Sequence, residues 1–227
     1  MALSAREAYE IGGVPQLTTG SIPLGPLTSY SLLKDPKHMS FVLARYKFVA
    51  KMLQGKGDTM EIGAGDGFGL PIVAQAVKSV HCADWEPKLV EDNRARLSPY
   101  IKNATFGVCD MTKGNPGQKF DAIYTVDVIE HLEPPTERVF FENMVGCLKP
   151  KGVMITGTPN VTAEKYASEE SRVQHINLKS MQQLKELHER YFDYVFMFGQ
   201  NDEVIHTGYA PMCHYIWAVA AGLKTPA

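Results

Sequence analysis

The chain has 227 residues, with 23 Lys+Arg against 25 Asp+Glu and a formal net charge of −2. With 44% hydrophobic and 21% charged residues it is too apolar and too evenly charged for a largely disordered chain. The near-neutral balance lacks the basic excess that a row of phosphates demands, which argues against nucleic acid as partner. Its four cysteines, Cys82, Cys109, Cys147 and Cys213, are scattered without a CxxC pair. That spacing offers neither a metal knuckle nor a disulfide framework, so no metal is expected and a reducing compartment fits. The first residues, MALSAREAYEIGG, have no apolar core behind a basic start, and the apolar run Ala218 to Leu223 is far short of the ~20 residues that span a bilayer. The expectation is one soluble, cytoplasmic domain with no membrane partner.

Residues 1–36, rich in Gly, Pro, Thr and Ser, read as an irregular N-terminal arm. Apolar residues at helical spacing predict a helix over Lys37 to Leu53, stopped by Gly55. Strands and helices then alternate. Strands are predicted at Thr59–Ile62, Ser79–Ala83 ending in Asp84, Ala104–Val108, Asp121–Val126 and Val153–Thr158. Helices are predicted at Leu70–Lys78, Pro87–Leu97 and Thr136–Leu148, the last closed by Lys149-Pro150. This rhythm implies an α/β fold, a mainly parallel sheet with helices on both faces. The tail breaks it with a helix at Ser180–Arg190 and two strand-like runs, Tyr191–Phe198 and Met212–Ala218, that suit an antiparallel edge.

Glu61-Ile62-Gly63-Ala64-Gly65-Asp66-Gly67-Phe68-Gly69 leaves a strand and enters a helix, where open α/β sheets bind their ligands. Its glycines allow a tight turn and close approach of a ligand. The dinucleotide spacing G-x-G-x-x-G/A fails, since Phe68 or Leu70 falls in the last slot, and the Walker lysine is missing. Asp84, 21 residues after Gly63, ends the second strand, where a carboxylate can accept from both hydroxyls of a ribose. Asp110 ends the third, where it can accept from an adenine amine, and Trp85 and Met111 can wall the purine. Asp127-Val128-Ile129-Glu130-His131-Leu132 follows the fourth strand.

Together E-I-G-A-G-D-G-F-G, the acids Asp84 and Asp110, D-V-I-E-H-L and L-K-P-K-G resemble the class I S-adenosylmethionine-dependent methyltransferases, over residues 58–158. The resemblance implies a Rossmann-like, doubly wound, seven-stranded sheet whose last strand pair is antiparallel. It implies S-adenosylmethionine as cofactor, with Glu61, Gly63 and Gly65 around the methionine moiety, Asp84 on the ribose and Asp110 near the adenine, and Asp127 joins this cofactor set. The segment Ser171–Ser180, with Phe198–Val204 and His206-Thr207-Gly208, is similar to the C-terminal region of bacterial methyltransferases from surface-polysaccharide gene clusters. One domain is thus expected, with residues 1–57 as arm and lid helix, 58–158 as cofactor core and 159–227 on the acceptor side.

Methyl transfer to a hydroxyl benefits from a general base, and histidine suits neutral pH. His131, four residues past Asp127, is either catalytic or a helix-start residue bonded to backbone; His175, after the fifth strand, is the favoured base or substrate contact. His206 and His214 flank the edge turn as surface, packing or acceptor-site residues, and Arg172 suits a solvated ion pair or an anion anchor. Arg45 and Tyr46 either cap the cofactor or stand as an exposed Arg beside a core Tyr. The expected reaction is O-methylation of a small polar acceptor, such as a sugar, phosphate or phosphoramidate group of a surface-glycan precursor. A quinone or aromatic acceptor is the alternative, since D-V-I-E-H-L also resembles quinone-pathway methyltransferases. A nicotinamide-dependent oxidoreductase and a silent, cofactor-binding partner subunit are the further alternatives.

Overall fold

A computed structural model describes residues 2–13 and 21–224. Eight strands form one sheet: β1 (Asp58–Ile62), β2 (Ser79–Asp84), β3 (Ala104–Val108), β4 (Phe120–Val126), β5 (Leu148–Pro159), β6 (Phe192–Asn201), β7 (Val204–His206) and β8 (Tyr215–Leu223). Their order is β3-β2-β1-β4-β5-β8-β6-β7. The first five are parallel, and β8, β6 and β7 pair antiparallel. The chain runs outward from β1 to β3 and then restarts at β4 on the other side of β1. That reversal opens a crevice at the carboxyl ends of β1 and β4.

The expected seven strands become eight because Asn201 and Val204 pair across a two-residue turn and fold β7 back onto β6. Asp202 takes φ 51 in that turn, a left-handed conformation that aspartate tolerates better than most residues.

The helices among the described residues are α1 (Ala5–Gly12), α2 (Pro26–Lys34), α3 (His38–Met52), α4 (Leu70–Ala74), α5 (Pro87–Leu97), α6 (Glu137–Gly146), α7 (Glu169–Gln174) and α8 (Met181–Glu189). None is long and apolar enough to cross a membrane. The N-terminal arm is therefore helical where an irregular segment was expected; its residues 14–20 lie outside the described residues. Ser4 and Glu7 close a capping box that starts α1, and Pro26 preorganises the first turn of α2. The predicted helix over Thr136–Leu148 ends two residues early because Leu148 already pairs with Phe120 at the start of β5.

Strand alternation splits the core into two layers. One face of the sheet packs Tyr124 and Trp217 against Tyr46 and Val49 of α3 and its C-cap Leu53, with Leu70 and Val73 of α4. The other packs Met60, Ile62 and Ile123 against Phe140, Phe141 and Met144 of α6 and Leu184 and Leu187 of α8.

His188 of α8 sits fully buried in the second layer. Its Nδ1–H donates to the Leu184 carbonyl at 2.8 Å, and its Nε2 accepts from the Thr156 hydroxyl at 2.9 Å. Burial lowers its pKa from 6.5 to about 4, so the unfolded chain takes up the proton first. The neutral ring's contribution is complete above pH 6.5 and is lost as pH falls toward about 4, on the order of 3 kcal/mol in all. Urea denaturation of wild type and His188→Gln from pH 7 to pH 4 is expected to show the two stabilities converging on acidification. A constant difference would contradict the buried neutral ring. The comparison must be made by difference, because Glu61, raised from 4.5 to about 7 by burial, loses stability in the opposite sense as pH rises through that range.

Candidate active site

The glycine loop, residues 63–69, is held from beneath. The amides of Gly63 and Ala64 both donate to the Ala83 carbonyl, and Gly65 N–H donates to Asp84 at 2.9 Å. Gly63 adopts φ 74, and a Cβ there would lie 2.2 Å from Val128 Cγ2, so only glycine fits between the loop and the segment after β4. Gly65, at φ 54, has only Leu27 near the position of a Cβ, at 3.5 Å, so its backbone is open to the crevice.

A cavity of about 690 Å³ lies above this loop. Of the residues expected to bind cofactor, Gly63, Gly65, Asp84, Trp85, Asp110, Met111 and Asp127 line it, and so does His131. Asp84 is 6% exposed, with one oxygen taking Gly65 N–H and the other Glu86 N–H at 3.0 Å. Each oxygen keeps acceptor capacity for a ribose hydroxyl. Trp85 is exposed and Met111 fully buried, so the two expected walls are unequal. Asp110 accepts from the Thr112 amide and hydroxyl and pairs with Lys113 at 2.8 Å; the hydrogen bond from Lys113, then that from Thr112, holds its pKa below the usual value.

Glu61 stands apart from the cavity lining. In the parallel register it lies between Cys82 and Tyr124, and these neighbours bond it, Tyr124 OH at 2.9 Å and Cys82 Sγ at 3.8 Å. Burial pushes its pKa up to about 7, opposed by hydrogen bonds from Tyr124, Tyr46 and Cys82. Glu61 thus supports the loop from inside the core.

Two features have no local sequence signal. Helix α2 has no side-chain cap of its own; instead Asp66 of the glycine loop accepts Thr28 N–H at 2.6 Å and Thr28 Oγ1 at 2.8 Å. A carboxylate at a helix N-terminus satisfies a free donor and opposes the helix dipole. This clasp sets Leu27 over the cavity, while Lys34 at the far end of α2 pairs with Glu170 of α7. Arg172 donates to the Ala167 carbonyl, so the ion pair in that run belongs to Glu170.

The second feature is Arg45. Where an exposed side chain or a cap was expected, it is buried, ion-paired with Asp127 at 2.6 Å and stacked over the Tyr215 ring at 4.0 Å. Tyr46 packs in the core. Asp127 itself holds φ 57, a left-handed turn that directs the chain from β4 into the 3₁₀ turn Ile129–His131.

Beyond Arg45 lies a second cavity of about 300 Å³, lined by His38, Arg45, His175, Gln200, His214 and Tyr215 among others. His175 ends α7 rather than an irregular segment, and its ring meets that of His131 edge-on at 5.1 Å. Burial and His131 lower its pKa. His214 Nε2 accepts the Asp202 amide at 2.7 Å, and His206 bonds Asn201 at 2.9 Å, so both also brace the β6–β7 hairpin. The two cavities meet where His131 touches His175 and Asp127 pairs with Arg45. At the same seam Glu130 is fully buried; burial, then Asp127, raises its pKa to about 8.

The family described as a methyltransferase domain matches residues 60–154. A Mycolicibacterium smegmatis protein, named a probable S-adenosylmethionine-dependent methyltransferase, is 28% identical over 144 residues, 60% of this chain and 52% of that one. The chain therefore spans about half the length of this curated relative. Among solved structures, the methyltransferase domain of bacterial CtHen1-C is similar with a TM-score of 0.65 at 16% identity, covering 80% of this chain and 98% of that one. DhpI in complex with SAM and HEP gives 0.62 at 15% identity, covering 85% and 90%. At such identity the likeness is one of fold. Residues 60–154 thus match a methyltransferase-domain family, and the curated mycobacterial relatives that match are named probable S-adenosylmethionine-dependent methyltransferases.

Proposed function

We propose that the chain acts as one unit, an S-adenosylmethionine-dependent methyltransferase that O-methylates a small polar acceptor such as a sugar, phosphate or phosphoramidate group of a surface-glycan precursor. In this reading residues 1–57 supply the arm and lid, 58–158 the cofactor core, and 159–227 the acceptor side. The observation that carries it is the seam of the two cavities, where His131 of one meets His175 of the other at 5.1 Å. The open backbone at Gly65 and the spare acceptor capacity of Asp84 suit the cofactor. Gly63, Gly65, Asp84, Trp85, Asp110, Met111 and Asp127 would hold it, with Glu61 bracing the methionine end. When bound, it offers a methyl carbon on a sulfonium; the acceptor oxygen forms the new C–O bond as the C–S bond breaks and its electron pair stays on sulfur.

His131 and His175 are the residues assigned to catalysis, placed to act on the acceptor oxygen as it loses its proton. Arg45 Nε and Tyr215 OH, both lining residues of the second cavity, are buried without hydrogen-bond partners. Two unmet donors favour an oxygen-rich acceptor over an apolar one. Four unpaired cysteines, Cys82, Cys109, Cys147 and Cys213, support a reducing, cytoplasmic setting.

The test is release of S-adenosylhomocysteine on incubation with sugars, sugar phosphates, amines and quinones. Sugars or their phosphates are expected to support release; release with amines or quinones alone would overturn the acceptor assignment. For His175→Ala, turnover should fall by ~10²-fold or more with cofactor affinity preserved. Full turnover in that variant would remove His175 from catalysis.

A further inference from the structure

We propose that Glu130, His131 and His175 form a binding site for one divalent transition-metal cation at the seam of the two cavities. Each offers one ligand atom, and the three atoms lie within 4.8 Å of one another. They come from two separate elements: Glu130 and His131 from the 3₁₀ turn after β4, His175 from the end of α7.

The remaining atoms of the Glu130 and His131 side chains are already engaged in ways that free these donors. His131 Nδ1 faces the Gln174 carbonyl at 3.1 Å, and a carbonyl only accepts, so Nδ1 carries the proton and Nε2 keeps its lone pair. An outer hydrogen bond of this kind is how metal-binding histidines are commonly oriented. Glu130 Oε2 accepts from the Thr158 hydroxyl at 2.9 Å. Its Oε1 is buried with no hydrogen-bond partner. His131 Nε2 stands 3.9 Å from it, too far for a hydrogen bond. Two donors bound to one ion at about 2.0–2.2 Å stand roughly 3.3–3.6 Å apart in a tetrahedral site, so a shared cation would close that gap by a few tenths of an ångström. A pair at the full 4.8 Å would have to close by roughly 1.2–1.5 Å, a movement within reach of rotation of the half-buried His175 ring.

The electrostatics agree. Burial and the Asp127 charge both disfavour an ionised Glu130, and Arg45 is already paired with Asp127. A buried carboxylate oxygen without a partner is costly, and a cation would supply what the protein side chains do not. Two imidazoles and one carboxylate form a donor set for Zn²⁺, Mn²⁺, Fe²⁺ or Co²⁺ rather than for the all-oxygen preferences of Ca²⁺ or Mg²⁺. The site rests on the function proposed above for its purpose: a cation there would bind the acceptor oxygen and lower its pKa, so that the hydroxyl proton passes to water instead of to an imidazole. The two histidines then act on the acceptor through the metal.

The full chain, stripped with EDTA, is dialysed against Zn²⁺ or Co²⁺; bound metal is read by mass spectrometry and Co²⁺ coordination by visible absorption. About one equivalent is expected to be retained. His175→Ala and Glu130→Gln should each lose at least about tenfold in affinity, since loss of an outer-shell partner alone costs roughly 10–100-fold. His206→Ala should retain wild-type affinity. Failure of the wild type to retain either metal, or equal retention by both ligand variants, would overturn the site. Binding of S-adenosylhomocysteine to the same samples shows that the variants are folded. It also separates the two readings: cofactor product bound without metal retention overturns only the metal site, and metal retention without cofactor product overturns only the transferase.

Discussion

Asp84→Ala should weaken S-adenosylhomocysteine binding by about 10²- to 10⁴-fold. The carboxylate is nearly buried, and its two oxygens take the amides of Gly65 and Glu86 at 2.9 and 3.0 Å. If each also receives a ribose hydroxyl, two charge-assisted bonds of roughly 1.5–3 kcal/mol are lost together, or about 3–6 kcal/mol. The glycine loop loses its brace at the same time. Asp84→Asn separates the two effects, because it keeps the shape and one accepting oxygen while removing the charge. Calorimetry measures both variants, and unchanged affinity in Asp84→Ala would remove the residue from the ribose role.

The second large effect is expected on stability. Arg45→Met leaves Asp127 without its ion-pair partner, in a left-handed backbone conformation and close to the buried Glu130. Breaking a buried pair from one side costs about 3–5 kcal/mol, and loss of the stack on Tyr215 adds to it. Asp127 is one-third exposed, at 33% of its side chain, so water recovers part of this and about 2–4 kcal/mol is the expected loss. Urea denaturation should show it, and the double variant Arg45→Met/Asp127→Asn should regain most of it. A loss below about 1 kcal/mol would mean that the pair contributes no more than a surface ion pair.

Residues 58–158 were largely legible in the sequence because their signals are local. Pro87–Leu97 and Ala104–Val108 fall where helix and strand patterns place them, since each carries its own start signal and its own apolar face. The acids at Asp84 and Asp110 stand at strand ends for the same reason. What could not be read depends on partners far along the chain. Helix α2 is capped by Asp66, 38 residues away, so its Gly/Pro-rich sequence looks irregular by itself. Helix α1 opens on the S-A-R-E capping box, a short local signal inside a segment whose overall composition reads as irregular. Arg45 is buried because Asp127, 82 residues on, meets it. The environment of Glu130 needs Thr158 on β5 and Asn177, whose amide donates to the Glu130 carbonyl, so D-V-I-E-H-L alone shows an acid beside a histidine without showing that it is buried. The additional strand, β7, is three residues long and exists only because the Asp202 turn lets it pair.

The seam between the cavities joins the fold to the chemistry. One side is built by the loop after β1 and the acids of β2 and β3, the other by α3, α7 and β8. The α2 clasp on Asp66 connects the N-terminal segment to both sides, through Leu27 over the glycine-loop cavity and Lys34 on α7.

In the proposed function the cavity above the glycine loop takes S-adenosylmethionine. The most direct measurement is calorimetric titration of the full chain with S-adenosylhomocysteine and, separately, with NAD. Saturable binding of S-adenosylhomocysteine at about one site per chain, with no heat from NAD, is the predicted result. Tight NAD binding with no response to S-adenosylhomocysteine would contradict it.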